Sequence, residues 1–359
     1  MEIREAGKPA TEAGYPWPSR LALISAAPML RSMRDLALLP KAHLHVHLES
    51  TIREATLREI GARNDVSVPD RGAASGGFRQ FAEHNELVRS CLRRPEDFSR
   101  IAAEFCADEA GHGTRYAEVS FTAAAHGERL GQLEMPLEAV LDGLAEGQAR
   151  HDIECRVILD HSRRRSVDRA WQTLRLARRY ADRGVVGLGL AGDESYPLRP
   201  FAAVLDAARD AGVHLVHHAG EMCGPGSIRE AITVGHAERL GHGIRALDDP
   251  ALVDEIRERG LPLEVCPSSN VALGFVPSFA AHPLPRLREA GLAVTVNTDI
   301  PAVIGTSPTT EYARVRDTFG YDDTVLAELA RAAIDASFAP APTRQKMQER
   351  TDAWLAAAG

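Results

Sequence analysis

An α/β fold in which eight parallel strands and their helices form a (β/α)8 barrel of the TIM type is predicted by three features of the sequence. Eight short runs rich in β-branched and other apolar residues are spread along the chain, and amphipathic helical patterns separate most of them. Strands that alternate with helices in this way are typical of a parallel sheet. The length of 359 residues allows two average domains or one large barrel.

The first run, KAHLHVHLES at residues 41–50, places histidine at every second position. His43, His45 and His47 alternate with apolar residues, and a period of two indicates a strand whose successive side chains point to opposite faces. The three imidazoles therefore share one face. They are either hydrogen-bonded on a polar strand face or ligands of a metal ion, and ligands elsewhere in the chain decide between these interpretations.

The other seven runs follow in order along the chain. They are RYAEVSF (115–121), ECRVILDH (154–161), GVVGLGLAG (184–192), VHLVHHAGE (213–221), RLGHG (239–243), LPLEVCP (261–267) and LAVTVNTD (292–299). The stretch 53–113, between the first two runs, is longer than one crossover helix. We therefore expect a helical insertion or lid over the barrel mouth there.

Composition and charge favour a soluble enzyme that acts on a small molecule. The chain is 44% hydrophobic and 26% charged, and its formal net charge of −8 without a dense Lys/Arg stripe argues against binding to nucleic acid or to an acidic membrane. The five cysteines include no CxxC pair, so we expect reduced thiols in the cytoplasm, and no apolar run suits a membrane span. Residues 1–38 are interpreted as an N-terminal extension and residues 39–359 as a single domain.

Polar residues end several of the runs, and a barrel would bring those ends together. In a (β/α)8 barrel the carboxyl ends of all strands meet at the face that carries the active site. The polar residues at these ends are His45, His47, His218, Glu221, His242 and Asp299. Three imidazoles and one carboxylate suit a divalent cation with a position left for water, and one histidine and one glutamate remain for proton transfer.

Five sequence blocks resemble the signature blocks of the adenosine deaminase family. LPKAHLHVHLES, HHAGE, RLGHG, LEVCPSSN and VTVNTD occur in the family's order and at similar spacing, and the resemblance extends from about residue 39 to beyond residue 330. It implies a metal-dependent barrel of the amidohydrolase superfamily that hydrolyses the exocyclic amino group of a purine or purine nucleoside.

The resemblance also implies which residues hold the metal. His45, His47, His218 and Asp299 match the ligands of one divalent ion, Zn²⁺, whereas His43 stands where the family usually has a residue that does not bind the metal. A bound dication lowers the pKa of water from 15.7 to about 7, which makes hydroxide available near neutral pH.

Roles in catalysis and substrate binding follow from the same resemblance. His242, together with Asp299, is expected to orient or deprotonate the water, and Glu221 to pass a proton to ring N1 as hydroxide adds to C6 and ammonia leaves. Gly192 matches a backbone donor to the purine ring, and Glu49 matches a contact to a sugar hydroxyl.

Two departures from the family pattern leave the substrate open. Ile300 stands where the family has Asp or Asn that hydrogen-bonds purine N7, so a buried N7 would lose its partner at a cost of about 1 to 3 kcal/mol. Ser50 replaces a glycine beside the residue matched to the sugar contact. Phe78 and Phe81 match aromatic residues of the family's lid, with helix packing as an equal alternative.

Three functions are consistent with these blocks. The first is deamination of adenosine or of a modified adenosine. The second is deamination of a free base, of aminodeoxyfutalosine or of a nonpurine heterocycle, which Ile300 would tolerate. The third is a noncatalytic binding protein that retains the metal, which the presence of Glu221 and His242 argues against because binding alone requires neither.

Overall fold

Eight parallel strands form one sheet whose order follows the chain. The computed structural model describes residues 33–69 and 77–357, except for the side chains of residues 77–81. The strands are β1 (Lys41–His47), β2 (Thr114–Phe121), β3 (Glu154–Ser162), β4 (Val185–Ala191), β5 (His214–Ala219), β6 (Arg239–His242), β7 (Leu263–Val265) and β8 (Val294–Val296). Each strand pairs in parallel with the next, and each overlaps one of the eight predicted runs.

The sheet curls into a barrel because the chain after β8 pairs with β1. Val46 and Asp299 form a parallel bridge. The amide of His47 donates to the carbonyl oxygen of Asp299 at 3.0 Å, and the amide of Asp299 donates to the carbonyl oxygen of His45, also at 3.0 Å. The predicted (β/α)8 barrel is confirmed, and its closure lies between two of the histidines singled out in the sequence.

Fifteen α-helices surround the strands in the described residues. They are α1 (Glu54–Arg63), α2 (Gly77–Cys91), α3 (Pro95–Gly111), α4 (Ala123–Leu130), α5 (Met135–Arg150), α6 (Val167–Arg179), α7 (Ala202–Asp210), α8 (Pro225–Thr233), α9 (Pro250–Arg259), α10 (Pro267–Ala272), α11 (Leu284–Glu289), α12 (Pro301–Ile304), α13 (Pro308–Phe319), α14 (Asp323–Ala336) and α15 (Ala341–Ala356). None of these has the length and apolar character that crossing a membrane requires.

The alternation in β1 places its histidines and its apolar residues on opposite sides. Leu44 and Val46 are at most 1% exposed and belong to the hydrophobic core. His45 and His47 point into the barrel, toward its carboxyl-terminal mouth. The apolar face therefore anchors the strand, and this anchoring fixes the direction in which the imidazoles point.

The described residues of the long segment between β1 and β2 include three α-helices, as expected. Helices α1, α2 and α3 occupy it, and residues of α2 such as Asn85 and Arg89 line a cavity at the barrel mouth. The insertion is therefore part of the wall of that cavity.

Residues 34–38 pack on the last helices of the chain. Arg34 pairs with Asp323 at 2.8 Å, and the indole N–H of Trp354 donates to the carbonyl oxygen of Asp35 at 3.1 Å. Leu36 is 5% exposed. The final part of the predicted extension is thus tied to α14 and α15, and residues 1–32 lie outside the described part of the chain.

Candidate active site

Four candidate metal ligands meet at the barrel mouth. His45 and His47 lie on β1, His218 on β5 and Asp299 just after β8, and one donor atom from each falls within a group no more than 4.8 Å across. His47 Nε2 lies 3.3 Å from His218 Nε2 and 3.2 Å from Asp299 Oδ1, while His45 Nε2 lies 3.7 Å from the same oxygen. These residues are buried or half-buried, and they are the four that the family resemblance implies.

The donor set fits a cation. His45 Nε2 is buried without a hydrogen-bond partner in the described residues, although a buried polar atom normally has one. Three imidazole nitrogens and one carboxylate oxygen that converge on a common point are a typical zinc-type ligand set. The geometry therefore provides both the ligands and an unsatisfied atom for a divalent ion to bind.

Two carboxylates contact the Nδ1 atoms of His45 and His47, on the side of each ring opposite Nε2. His45 Nδ1 lies 2.9 Å from Glu264 Oε2, and His47 Nδ1 lies 2.9 Å from Asp160 Oδ2. A ring that holds its Nδ1 proton against a carboxylate presents Nε2 as the free lone pair. Burial lowers the pKa of His45, but the nearby carboxylates of Asp299 and Glu264 outweigh this effect and raise it to about 9.

Glu264 is itself held by a buried arginine. Arg239 is 1% exposed and lies between two fully buried carboxylates, Glu118 and Glu264, with its Nε 2.5 Å from Glu264 Oε1. The ring of Phe338 lies 3.9 Å from the Arg239 guanidinium carbon. This network lies in the barrel interior beneath His45 and fixes the carboxylate that orients the ring.

Replacing Glu264 with glutamine should weaken metal binding by about 10- to 100-fold, the range for outer partners of metal-bound histidines. The amide has one acceptor oxygen for the two donors that Glu264 contacts, His45 Nδ1 and Arg239 Nε, and it loses the charge that favours the Nδ1–H tautomer. Glu118→Gln is the matched control because Glu118 pairs with Arg239 without contacting His45. Zinc affinity is measured by competition with a chromogenic chelator, and an equal loss in both variants would contradict a role for Glu264 in orienting the ligand.

A glutamate and a histidine lie beside the ligand group. Glu221 Oε2 is 3.5 Å from His242 Nε2, and both side chains are buried. Asn270 Nδ2 donates to Glu221 Oε1 at 3.0 Å and lies 3.3 Å from His242 Nδ1, while His282 Nε2 lies 3.2 Å from the Asn270 amide oxygen. Asn270 ends the sequence block LEVCPSSN and His282 lies outside the quoted blocks, and together they hold the Glu221 carboxyl group.

The surroundings push the pKa values of this pair in opposite directions. Burial, then the charges of Asp299 and Glu194, raise the pKa of Glu221 well above its usual value. Burial, then the charge of His45, lowers the pKa of His242 to about 3. A carboxyl group that releases its proton less readily than usual therefore lies next to an imidazole whose pKa is far below neutral pH, a pattern typical of a general acid and a general base that share a site.

Two site residues have an unusual backbone conformation. His242 and Asp299 have φ values of 64° and 62°, and they are two of only four non-glycine residues with positive φ in the described ranges. Such conformations are costly for residues with a Cβ and cluster at functional sites. Here they turn the side chains at the strand ends toward the shared centre.

A buried carboxylate that the sequence did not reveal fixes the loop after β5. Glu194 accepts hydrogen bonds from the amides of Gly220 and Glu221 at 2.8 Å and of Met222 at 2.9 Å, and from Ser227 Oγ at 2.8 Å. Its position two residues after Gly192, in GLAGDE, was the only signal available in the sequence. The loop that carries Glu221 is therefore held at three successive amides.

A cavity of about 570 Å³ extends from this centre to α2. Gly192, which has a φ of +87°, and Glu49 both line it. Glu49 Oε1 accepts from the amide of Thr122 at 3.1 Å and lies 3.3 Å from His126 Nε2. Burial raises the pKa of Glu49, but the contacts with His126 and Thr122 outweigh it and lower the pKa to about 2, so the carboxylate remains charged.

The remaining predicted substrate residues are placed differently. Ile300 is fully buried at the start of α12 and does not belong to the described lining of the cavity. Ser50 is 1% exposed and is likewise outside that lining. Phe78 and Phe81 lie on α2, and their side chains fall outside the described residues. His43 is not part of the metal-ligand group. Its Nδ1 lies 3.0 Å from Glu109 Oε2 and its Nε2 lies 3.0 Å from Thr298 Oγ1.

Comparison with known proteins agrees with this geometry. The adenosine deaminase family matches residues 40–354. A Streptomyces coelicolor protein provisionally named an adenosine/adenine deaminase is 35% identical over 343 residues, covering 91% of this chain and 100% of its own. The crystal structure of an adenine deaminase from Arthrobacter aurescens superposes with a TM-score of 0.82 at 28% identity, over 89% of this chain and 99% of its own. That of an Arabidopsis N6-mAMP deaminase superposes with a TM-score of 0.80 at 27% identity, over 89% and 99%.

Proposed function

Because this chain belongs to the adenosine deaminase family, and is therefore a hydrolase of C–N bonds that deaminates aminopurines, we propose that its substrate is an aminopurine nucleoside. The observation that carries the proposal is the joint position of the ligand group and the Glu221–His242 pair at one end of the cavity. The products are ammonia and the corresponding 6-oxopurine nucleoside.

We propose one divalent cation, zinc, held by His45, His47, His218 and Asp299. When bound, it lowers the pKa of a water molecule to about 7 and so makes a nucleophile available at neutral pH. Three nitrogen ligands and one oxygen ligand are the donor types that zinc takes in proteins, and Glu264 and Asp160 orient two of the rings.

We propose that Glu221 and His242 transfer the protons of the reaction. The protonated Glu221 carboxyl group faces the cavity and donates to the ring nitrogen beside the carbon that is attacked. The neutral His242 imidazole accepts a proton from the attacking water and passes it to the amino group, which leaves as ammonia when the bond from the ring carbon to that nitrogen breaks. The new hydroxyl group returns its proton to Glu221 as the carbonyl forms, and the ring nitrogen keeps the proton that Glu221 donated. Asn270 holds the Glu221 carboxyl group in place for this transfer.

A nucleoside is favoured over a free base by the far part of the cavity. A volume of about 570 Å³ lies within the range of pockets that enclose whole ligands, and the lining includes residues of α2 as well as His47, His218 and Asp299. Glu49, charged and fixed by Thr122, lines this part and is a suitable acceptor for a sugar hydroxyl. The second candidate is free adenine, which the similarity to the Arthrobacter aurescens adenine deaminase favours.

Ammonia release separates these candidates. The zinc-loaded protein is assayed with adenosine, 2′-deoxyadenosine, adenine, methylthioadenosine, S-adenosylhomocysteine and aminodeoxyfutalosine. Turnover of one or more nucleosides with a kcat/KM above that for adenine is the expected result. A higher kcat/KM for adenine would identify a base deaminase, and tight binding without ammonia release from any compound would instead support a noncatalytic binding protein.

A further inference from the structure

Three arginines without acidic partners line the cavity. They are Arg89 on α2, Arg129 on α4 and Arg164 after β3, and none forms an ion pair with a carboxylate in residues 33–69 and 77–357. The chain as a whole has a net charge of −8, so a local group of unpaired cations at the mouth runs against the overall charge.

Positive charge is in excess on the side formed by α2 and α4. Burial, then the charges of Arg93 and Arg89, lowers the pKa of Arg129, which shows that these guanidinium groups repel one another. Glu86 is the acidic residue of the cavity lining on this side, one helical turn before Arg89. Arg164 differs because its charge contributes to the lowered pKa of Asp193, an acid in the same lining. We call Arg89 and Arg129 the arginine pair.

A chain of contacts connects Arg129 to Glu49. His126 is fully buried, its Nε2 lies 3.3 Å from Glu49 Oε1, and its Nδ1 accepts from Arg129 Nη2 at 3.4 Å. Glu49 itself follows the ligand His47 by two residues. Contacts therefore link Glu49 through His126 to Arg129, and Arg89 and Arg129 line the same cavity as Glu49, so the arginine pair lies on the side of the cavity where the sugar is proposed to bind.

We propose that the substrate carries an anionic group, a phosphate or a carboxylate, attached on its sugar side, and that Arg89 and Arg129 bind it. This inference rests on the proposed deamination of a nucleoside. Guanidinium groups bind phosphate and carboxylate through charge-assisted hydrogen bonds. Two arginines on different helices can donate such bonds to one anion from two directions. The exposed position at the rim suits a substrate whose charged end remains partly in water while its purine enters the barrel.

Selectivity between charged and neutral substrates tests the proposal. The values of kcat/KM are compared for adenosine, adenosine 5′-monophosphate and adenosine 5′-carboxylate. The kcat/KM of at least one anionic compound should exceed that of adenosine, and the identity of that compound distinguishes phosphate from carboxylate.

Arg89→Ala should lower the ratio of kcat/KM for the anionic compound to kcat/KM for adenosine by about three- to tenfold, because the contact is solvent-exposed. Arg89→Lys should restore part of this ratio. Arg89 is chosen because Arg129 also contacts His126 and through it Glu49.

Arg178→Ala is the matched control. Arg178 lies in the last turn of α6 as Arg89 lies in the last turn of α2, and it does not line the cavity. The control should leave the ratio unchanged. Raising the ionic strength should lower kcat/KM for the anionic substrate while that for adenosine changes little.

Binding separates this inference from the proposed function. Dissociation constants of the same three compounds are measured by calorimetry in the zinc-loaded Glu221→Gln variant, with and without Arg89→Ala. Tighter binding of an anionic compound that Arg89→Ala removes supports the inference even if no compound is deaminated. Efficient turnover of adenosine with no preference for either anion, in binding or in kcat/KM, would overturn the inference and leave the deaminase intact.

Discussion

Glu221→Gln should lower kcat by about 10²- to 10⁴-fold, the usual contribution of a general acid or base, while the metal content stays unchanged. The carboxyl group is buried and its pKa is raised, so it holds a proton that the amide of glutamine cannot transfer. Glutamine keeps the shape and an oxygen for the Asn270 amide, so the loss is one of proton transfer. Steady-state kinetics and metal analysis of the same preparation measure the two effects.

Glu311→Gln is the control for this variant. Glu311 is 1% exposed and burial raises its pKa, as for Glu221, but its carboxylate accepts from the Ser268 amide and does not line the cavity. Its replacement should leave kcat within a few-fold of the original. A Glu221→Gln protein with near-original kcat and full metal content would remove Glu221 from proton transfer.

The strands and the convergent ligands could be predicted from the sequence because each depends on local pattern and on one topological rule. The alternation in β1 shows which face carries His45 and His47. Once eight strands are recognised, the barrel places strand ends together, so Asp299 must approach them although it lies about 250 positions later in the chain.

The residues that hold those groups could not be predicted in the same way. Glu194 acts through hydrogen bonds to three amides of a loop about 26 positions away, and Glu264 acts through one ring nitrogen of His45. Neither contact leaves a periodic pattern, because each depends on where two loops or strands lie in the folded chain. In the sequence, a buried glutamate cannot be told from a surface glutamate, because its partners in the folded chain are not known.

The residues of α2 that line the cavity could not be predicted from the sequence either. The sequence predicted an inserted segment over the mouth, but the direction in which a helix presents Arg89 depends on its packing against the barrel. Ile300 was expected at the purine because it stands where the family has a residue that binds N7, and its side chain is fully buried at the start of α12, directly after Asp299. Its contact with the purine stays a prediction.

Asp299→Asn should weaken metal binding by more than the roughly 10- to 100-fold expected for an outer partner, with a matching loss of turnover by the metal-depleted protein. Asp299 is the one anionic member of the ligand group, and its second oxygen accepts from Ser269 Oγ at 2.5 Å. Asparagine retains the shape but removes the charge that a divalent cation requires. Asp322→Asn, at the exposed N-terminus of α14, is a control in which the amide can still cap the helix.

The pH dependence of zinc affinity distinguishes this loss from simple misfolding. Without metal, His45 has a pKa raised to about 9, partly by Asp299, so zinc must displace a proton at neutral pH. Affinity should therefore rise with pH, by up to about tenfold per unit for each proton displaced, and the contribution of His45 should level off above pH 9. Asp299→Asn removes one cause of the raised pKa, so its affinity should be lower at every pH and the His45 contribution should level off at a lower pH. A variant whose affinity levels off at the original pH would show that Asp299 does not set the protonation of His45.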